Sequence, residues 1–210
     1  MSIEATHDGA MPAAPAGELI HPAWVRITHW INFIAVTVMI GSGWEIYNAS
    51  PLFSFAFPPG ITLGGWLAGA LLWHFAAMWL LVVNGFIYLV LGIATGRFQR
   101  KLVPVRPAEV LSVVKAALTG RLSHDDLSVY NAVQRVLYLG VILAGIVIVL
   151  SGISIWKPVQ LQELTVLFGG YDAARYVHFL AMAAITGFLM IHVIMALLVP
   201  RSLRAMIIGR

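Results

Sequence analysis

The sequence predicts an all-α membrane protein, a four-helix transmembrane bundle with both termini cytoplasmic. Three observations predict it. Of 210 residues, 60% are hydrophobic and only 10% charged, whereas a soluble domain carries about a quarter charged positions. Four apolar segments stand out, at about 27–46, 65–94, 129–155 and 174–199, each meeting the roughly 20-residue length that crosses a hydrocarbon core. The lysines and arginines are distributed unevenly around those segments.

Taken in order, residues 1–22 (MSIEATHDGAMPAAPAGELIHP) are rich in Ala, Pro and Gly. They lack the basic start and apolar centre of a signal peptide, so a flexible cytoplasmic tail is expected. The bundle domain then covers 23–205, with a short C-terminal tail at 206–210. Within each span the apolar residues are continuous rather than alternating, which excludes barrel strands. SPLFSFAFPPGITL (50–63) is an apolar, aromatic outer loop that either packs over the bundle end or meets a partner. The loop at 96–128 contains PAEVLSVVKAALTGRL (107–122), whose apolar residues recur at helical spacing. A helix lying along the inner membrane surface is expected there, with a partner-docking helix as the alternative.

Orientation follows from the thirteen basic residues. Arg26, Arg97, Arg100, Lys101, Arg106, Lys115, Arg121, Arg135, Arg201, Arg204 and Arg210 fall on the side of the termini; Lys157 and Arg175 alone fall on the other. That asymmetry places both termini inside. Trp24, Trp30, Trp44, Trp66 and Trp156 lie near span ends, where an aromatic belt forms. The net charge of +4 therefore reports topology, and no nucleic-acid partner is expected. With no cysteine, disulfides, iron–sulfur clusters and thioether-linked haem are excluded.

The polar exceptions are histidines. His7, His21 and His124 fall in the tail and the cytoplasmic loop, where a solvated surface is expected. His29, His74, His178 and His192 lie inside three of the four spans, where ionisable residues are costly and face the bundle interior for a reason. With helices one and three running outward, His29 and His192 sit near the inner ends of their helices. His74 and His178 sit near the outer ends of theirs. The expected pairs are therefore His29 with His192 and His74 with His178. His178 and His192 are fourteen residues apart, which is ~21 Å along a helix axis and within roughly 40° of one face. Four imidazoles at two depths cannot share one ion, whose ligands must lie about 2 Å away. Each pair could instead clamp a flat group between helices, and haem b with two axial histidines meets that description.

Other residues admit two readings. Gly41, Gly43, Gly140, Gly145 and Gly152 would let a porphyrin approach, or would simply pack helices. Arg26 and Arg135 near the inner pair, and Arg175 near the outer, would bind haem propionates or anchor to lipid headgroups.

His29 in RITHW, His74 in WHF and the pair His178/His192 resemble the bacterial cytochrome b561 and nickel-hydrogenase b-type cytochrome family. That family includes the membrane cytochrome b subunits of formate dehydrogenase and thiosulfate reductase. GRFQRKLVP (96–104) and YNAVQR (130–135) also resemble it. The resemblance covers roughly 22–205 and implies two b haems in the pairing above, with the four histidines as iron ligands. It further implies quinone chemistry (ubiquinone or menaquinone) near the cytoplasmic haem, carried onto Tyr130, Asn131, Gln134 and Arg26. Helix-start polarity at a water interface would equally explain the polar residues among these.

The expected function is electron transfer between the quinone pool and a periplasmic redox protein, which the resemblance suggests is a molybdopterin oxidoreductase. The expected location is the bacterial inner membrane, with lipid around a multi-pass chain. A stand-alone superoxide:ubiquinone oxidoreductase is one alternative. It ranks lower because only Lys157 and Arg175 serve the outer face, against Glu45, Glu163 and Asp172. A proton or metal transporter using the histidines is another.

Overall fold

A computed structural model describes residues 20–102, 107–118 and 132–209. Every regular element among them is helical: α1 Ala23–Ala49, α2 Leu67–Ala94, α3 Arg97–Lys101, α4 Pro107–Leu118, α5 Ala132–Trp156, α6 Gln162–Leu167, α7 Tyr171–Leu198 and α8 Pro200–Ile208, with a 3-10 turn at Pro59–Ile61. Four of these, α1, α2, α5 and α7, are long and apolar enough to cross a membrane. Their outward faces carry large apolar side chains, such as Leu72 at 74% and Phe86 at 68% exposure. Water would not tolerate such a surface, but lipid does.

The bundle is two hairpins, α1 packed along α2 and α5 packed along α7. Small buried residues make each close approach possible. Ala35 and Ser42 on α1 are spaced by seven, as are Ala70 and Ala77 on α2 and Ala174 and Ala181 on α7. A seven-residue step keeps one helix face on its neighbour, and small side chains let the backbones meet. Between hairpins the backbones come close at few points, so a crevice lined by side chains runs between them.

The elements end where backbone chemistry dictates. Gly96, at φ +64°, stops α2 in a left-handed conformation. Gly64, at φ +114°, turns the chain into α2 where a Cβ would overlap the backbone of Ala70. Pro200 ends α7 by forcing Val199 out of the helical region, at φ −121° and ψ 76°.

Some short elements differ from the sequence expectation. The expected C-terminal tail at 206–210 continues as helix through Ile208. Residues 20–22, expected in a flexible tail, are held, with the Ile20 amide donating to the Gly209 carbonyl at 2.8 Å. The first and last described residues thus meet at one end of the bundle, the chain-end side. At the other, the aromatic loop folds over the helix ends. Asn48 brackets the backbone of Phe57 through two hydrogen bonds of 2.8 and 2.9 Å, and Phe57 stacks on Trp44 at 4.6 Å. Phe53 and Tyr47 both pack on Phe179 of α7.

Candidate haem-binding site

Two histidine pairs cross the crevice, each joining one hairpin to the other. Near the chain ends, the rings of His29 on α1 and His192 on α7 lie 5.9 Å apart, centroid to centroid. Nearer the aromatic loop, His74 on α2 and His178 on α7 lie 6.5 Å apart. Two imidazoles on opposite sides of one metal put their centroids about 6 Å apart, from two metal–nitrogen bonds of about 2 Å and the half-widths of the rings. Helix α7 contributes to both pairs, as its fourteen-residue spacing requires.

The loop-end pair has a defined protonation pattern. The Nδ1 of His178 lies 3.0 Å from the Ile148 carbonyl and 3.2 Å from Ser151 Oγ. A carbonyl can only accept, so Nδ1 carries the proton and Nε2 keeps its lone pair. The Nδ1 of His74 lies 3.0 Å from Ser42 Oγ, with the Met39 carbonyl as a further acceptor. The hydroxyls of both serines are already committed to their own helices, Ser42 to Val38 at 2.6 Å and Ser151 to Val147 at 2.7 Å. Their oxygens are therefore free to accept from the imidazoles. Gly43 and Gly152 follow these serines, and a Cβ on either would sit 3.5 or 3.0 Å from the histidine Cε1. This arrangement, with one nitrogen anchored and the other open, suits a metal-ligating histidine.

The chain-end pair opens on a cavity of about 710 Å³, lined by apolar residues of all four long helices and by His21, Arg97, Lys101 and Gln134. This lies within the range of cofactor and ligand cavities. Each end of the bundle also holds one buried donor with no partner among the described residues, Arg26 Nε near the chain ends and Trp44 Nε1 near the loop. Such orphans are the kind a bound polar group satisfies. Among the described residues no three His, Asp or Glu gather as a metal-binding group, whereas paired rings suit an iron held by a macrocycle. The residues present fit haem b.

The remaining sequence candidates are distributed unevenly. Gln134 lines the cavity, while Tyr130 and Asn131 lie outside the described residues. Arg26 donates to the Ile207 carbonyl at 2.8 Å, and neither it nor Arg135 is among the residues lining the cavity. Arg175 binds the Ser50 carbonyl at 2.6 Å and the Ser50 hydroxyl at 3.0 Å, and approaches Asp172 at 4.0 Å. His21, expected on a solvated surface, is instead 8% exposed. It accepts a hydrogen bond of 3.1 Å from Arg97. Its burial depends on a contact 76 residues away, which no local pattern reveals.

The sequence profile of the prokaryotic cytochrome b561 family matches residues 20–209. The chain belongs to that family. It is also 55% identical, over 190 residues, to a chain of Azospira oryzae assigned as protein-methionine-sulfoxide reductase subunit YedZ1, covering 90% of this chain and 96% of that one. Family membership makes the protein a multi-pass membrane cytochrome, a haem-binding electron-transfer component.

Proposed function

We propose that the protein is a di-haem b-type cytochrome of the bacterial inner membrane, carrying electrons between the quinone pool and a periplasmic redox partner, with both termini cytoplasmic. The observation that carries this reading is the pair of imidazole clamps at two depths on α7, His29/His192 and His74/His178. Bound between them, haem b would supply reversible one-electron chemistry. The chain's own residues then have separate tasks. The histidines hold and orient, and the apolar spans exclude water. The cavity beside the inner pair admits a quinone headgroup near Gln134, Arg97 and Lys101.

The relative from Azospira points to the class of partner. A reductase for methionine sulfoxide in proteins consumes two electrons and two protons per sulfoxide, returning a thioether and water. A periplasmic reductase of that kind, the molybdopterin oxidoreductase of the sequence reading, would draw electrons out at the aromatic-loop end.

The purified protein should give a b-type spectrum on reduction with dithionite and bind about two haems per chain. His178→Ala should lose the outer haem and keep the inner, and His192→Ala should do the reverse. A colourless protein that takes up no supplied haem would end this reading and favour a histidine-based transporter.

A further inference from the structure

The outer and inner histidines are held differently. On α1 and on α5 the same short pattern recurs, a buried serine followed by glycine: Ser42–Gly43 and Ser151–Gly152. Each serine hydroxyl folds back on the carbonyl four residues earlier. Each then presents its oxygen, together with the carbonyl three residues earlier, to one outer histidine. The two hairpins thus build matching seats, one for His74 and one for His178. Among the described residues the inner histidines have no such seat. His29 and His192 make no hydrogen bond among the described residues, and their ring neighbours are aromatic, Trp30 and Phe188.

We infer that Ser42 and Ser151 are positioning residues that make the outer haem the lower-potential member of the pair. An imidazole that donates its Nδ1–H to an acceptor becomes a stronger electron donor through Nε2. A more basic axial ligand favours ferric over ferrous iron, so second-shell hydrogen bonding lowers the potential. Both outer ligands carry that bond, and among the described residues neither inner ligand does. The positive charges of Arg97 and Lys101 on the cavity beside the inner pair act in the same direction, because they favour the reduced inner site. The consequence is a division of labour in which an electron is retained at the inner end and readily surrendered at the outer end. This inference rests on the two-haem reading.

The test is a potentiometric titration of the full-length haem-loaded protein, followed optically and by electron paramagnetic resonance. Wild type should titrate in two steps, with the lower step missing in His178→Ala. Ser42→Ala and Ser151→Ala should each shift the lower step upward, and the double variant should shift it further. The upper step should stay in place. Affinity for the outer haem should weaken by about 10- to 100-fold at most. Ser154→Ala is the control, since Ser154 is as deeply buried on α5 but bonds Thr165 rather than a histidine; it should move neither step. Because the two serines lie on different hairpins, a fold lost in one variant leaves the other to report. A double variant with both midpoints unmoved would overturn the inference, as would loss of the upper step in His178→Ala. Wild-type protein binding fewer than two haems would instead sink the two-haem reading, whatever the serines do.

Discussion

The Arg97 guanidinium donates to Nδ1 of His21 across 3.1 Å, and a guanidinium has nothing with which to accept. The imidazole is therefore neutral, with its proton on Nε2. Burial, and then the charge of Arg97, push its pKa down from 6.5 to about 4. In the unfolded chain the ring would take up a proton as pH falls through about 6.5, while in the folded chain it would wait until about 4. Between those values the unfolded state binds more protons, so stability is lost as pH falls across the window. The thermal midpoint of wild type in detergent should therefore fall between pH 6.5 and 4 more steeply than that of His21→Gln. Parallel curves would show that this histidine does not titrate with unfolding.

Asn84, the polar residue buried in α2, ties its hairpin together. Its side-chain amide donates to the Thr28 carbonyl at 2.8 Å and to Asn32 Oδ1 at 2.7 Å, both on α1. In lipid such bonds add roughly 0.6–2 kcal/mol, since the unfolded helices find other partners. Asn84→Ala should cost about 1 kcal/mol in a mixed-micelle denaturation series, with the α5–α7 hairpin unaffected. Which helices exist was legible from sequence, because length and continuous apolarity decide a membrane span almost alone. Their ends are less legible: α1 begins at Ala23 and α7 at Tyr171, a few residues before the apolar runs, because interfacial residues join the helix. The short helices α3, α6 and α8 were not legible, since composition does not mark a helix whose stability comes from what it touches.

The approach of His29 to His192 and of His74 to His178 was legible for a related reason. Depth follows from counting residues along helices that alternate in direction, and four imidazoles at two depths pair in one way. The serine seats were hidden, because Ser42 and Ser151 look like ordinary small residues until His74 and His178 are placed beside them. The whole molecule is correspondingly asymmetric along its axis. At the loop end the histidines are anchored by the membrane helices themselves. At the chain end, closure depends on α8, which is strapped to α1 by Arg26 to the Ile207 carbonyl and by Trp30 to the Met206 carbonyl, at 2.8 and 3.3 Å. Ser202, Leu203, Ala205 and Met206 line the chain-end cavity, so removing this helix opens that cavity to water. On the proposed two-haem reading, truncation after Val199 should therefore leave the four spans inserted and the outer haem bound, while the inner haem is lost or becomes labile. The check is haem content together with reduced spectra: about one haem per chain is expected, carrying the spectrum that His192→Ala retains. Retention of both haems with unchanged midpoints would show that the inner site closes without α8.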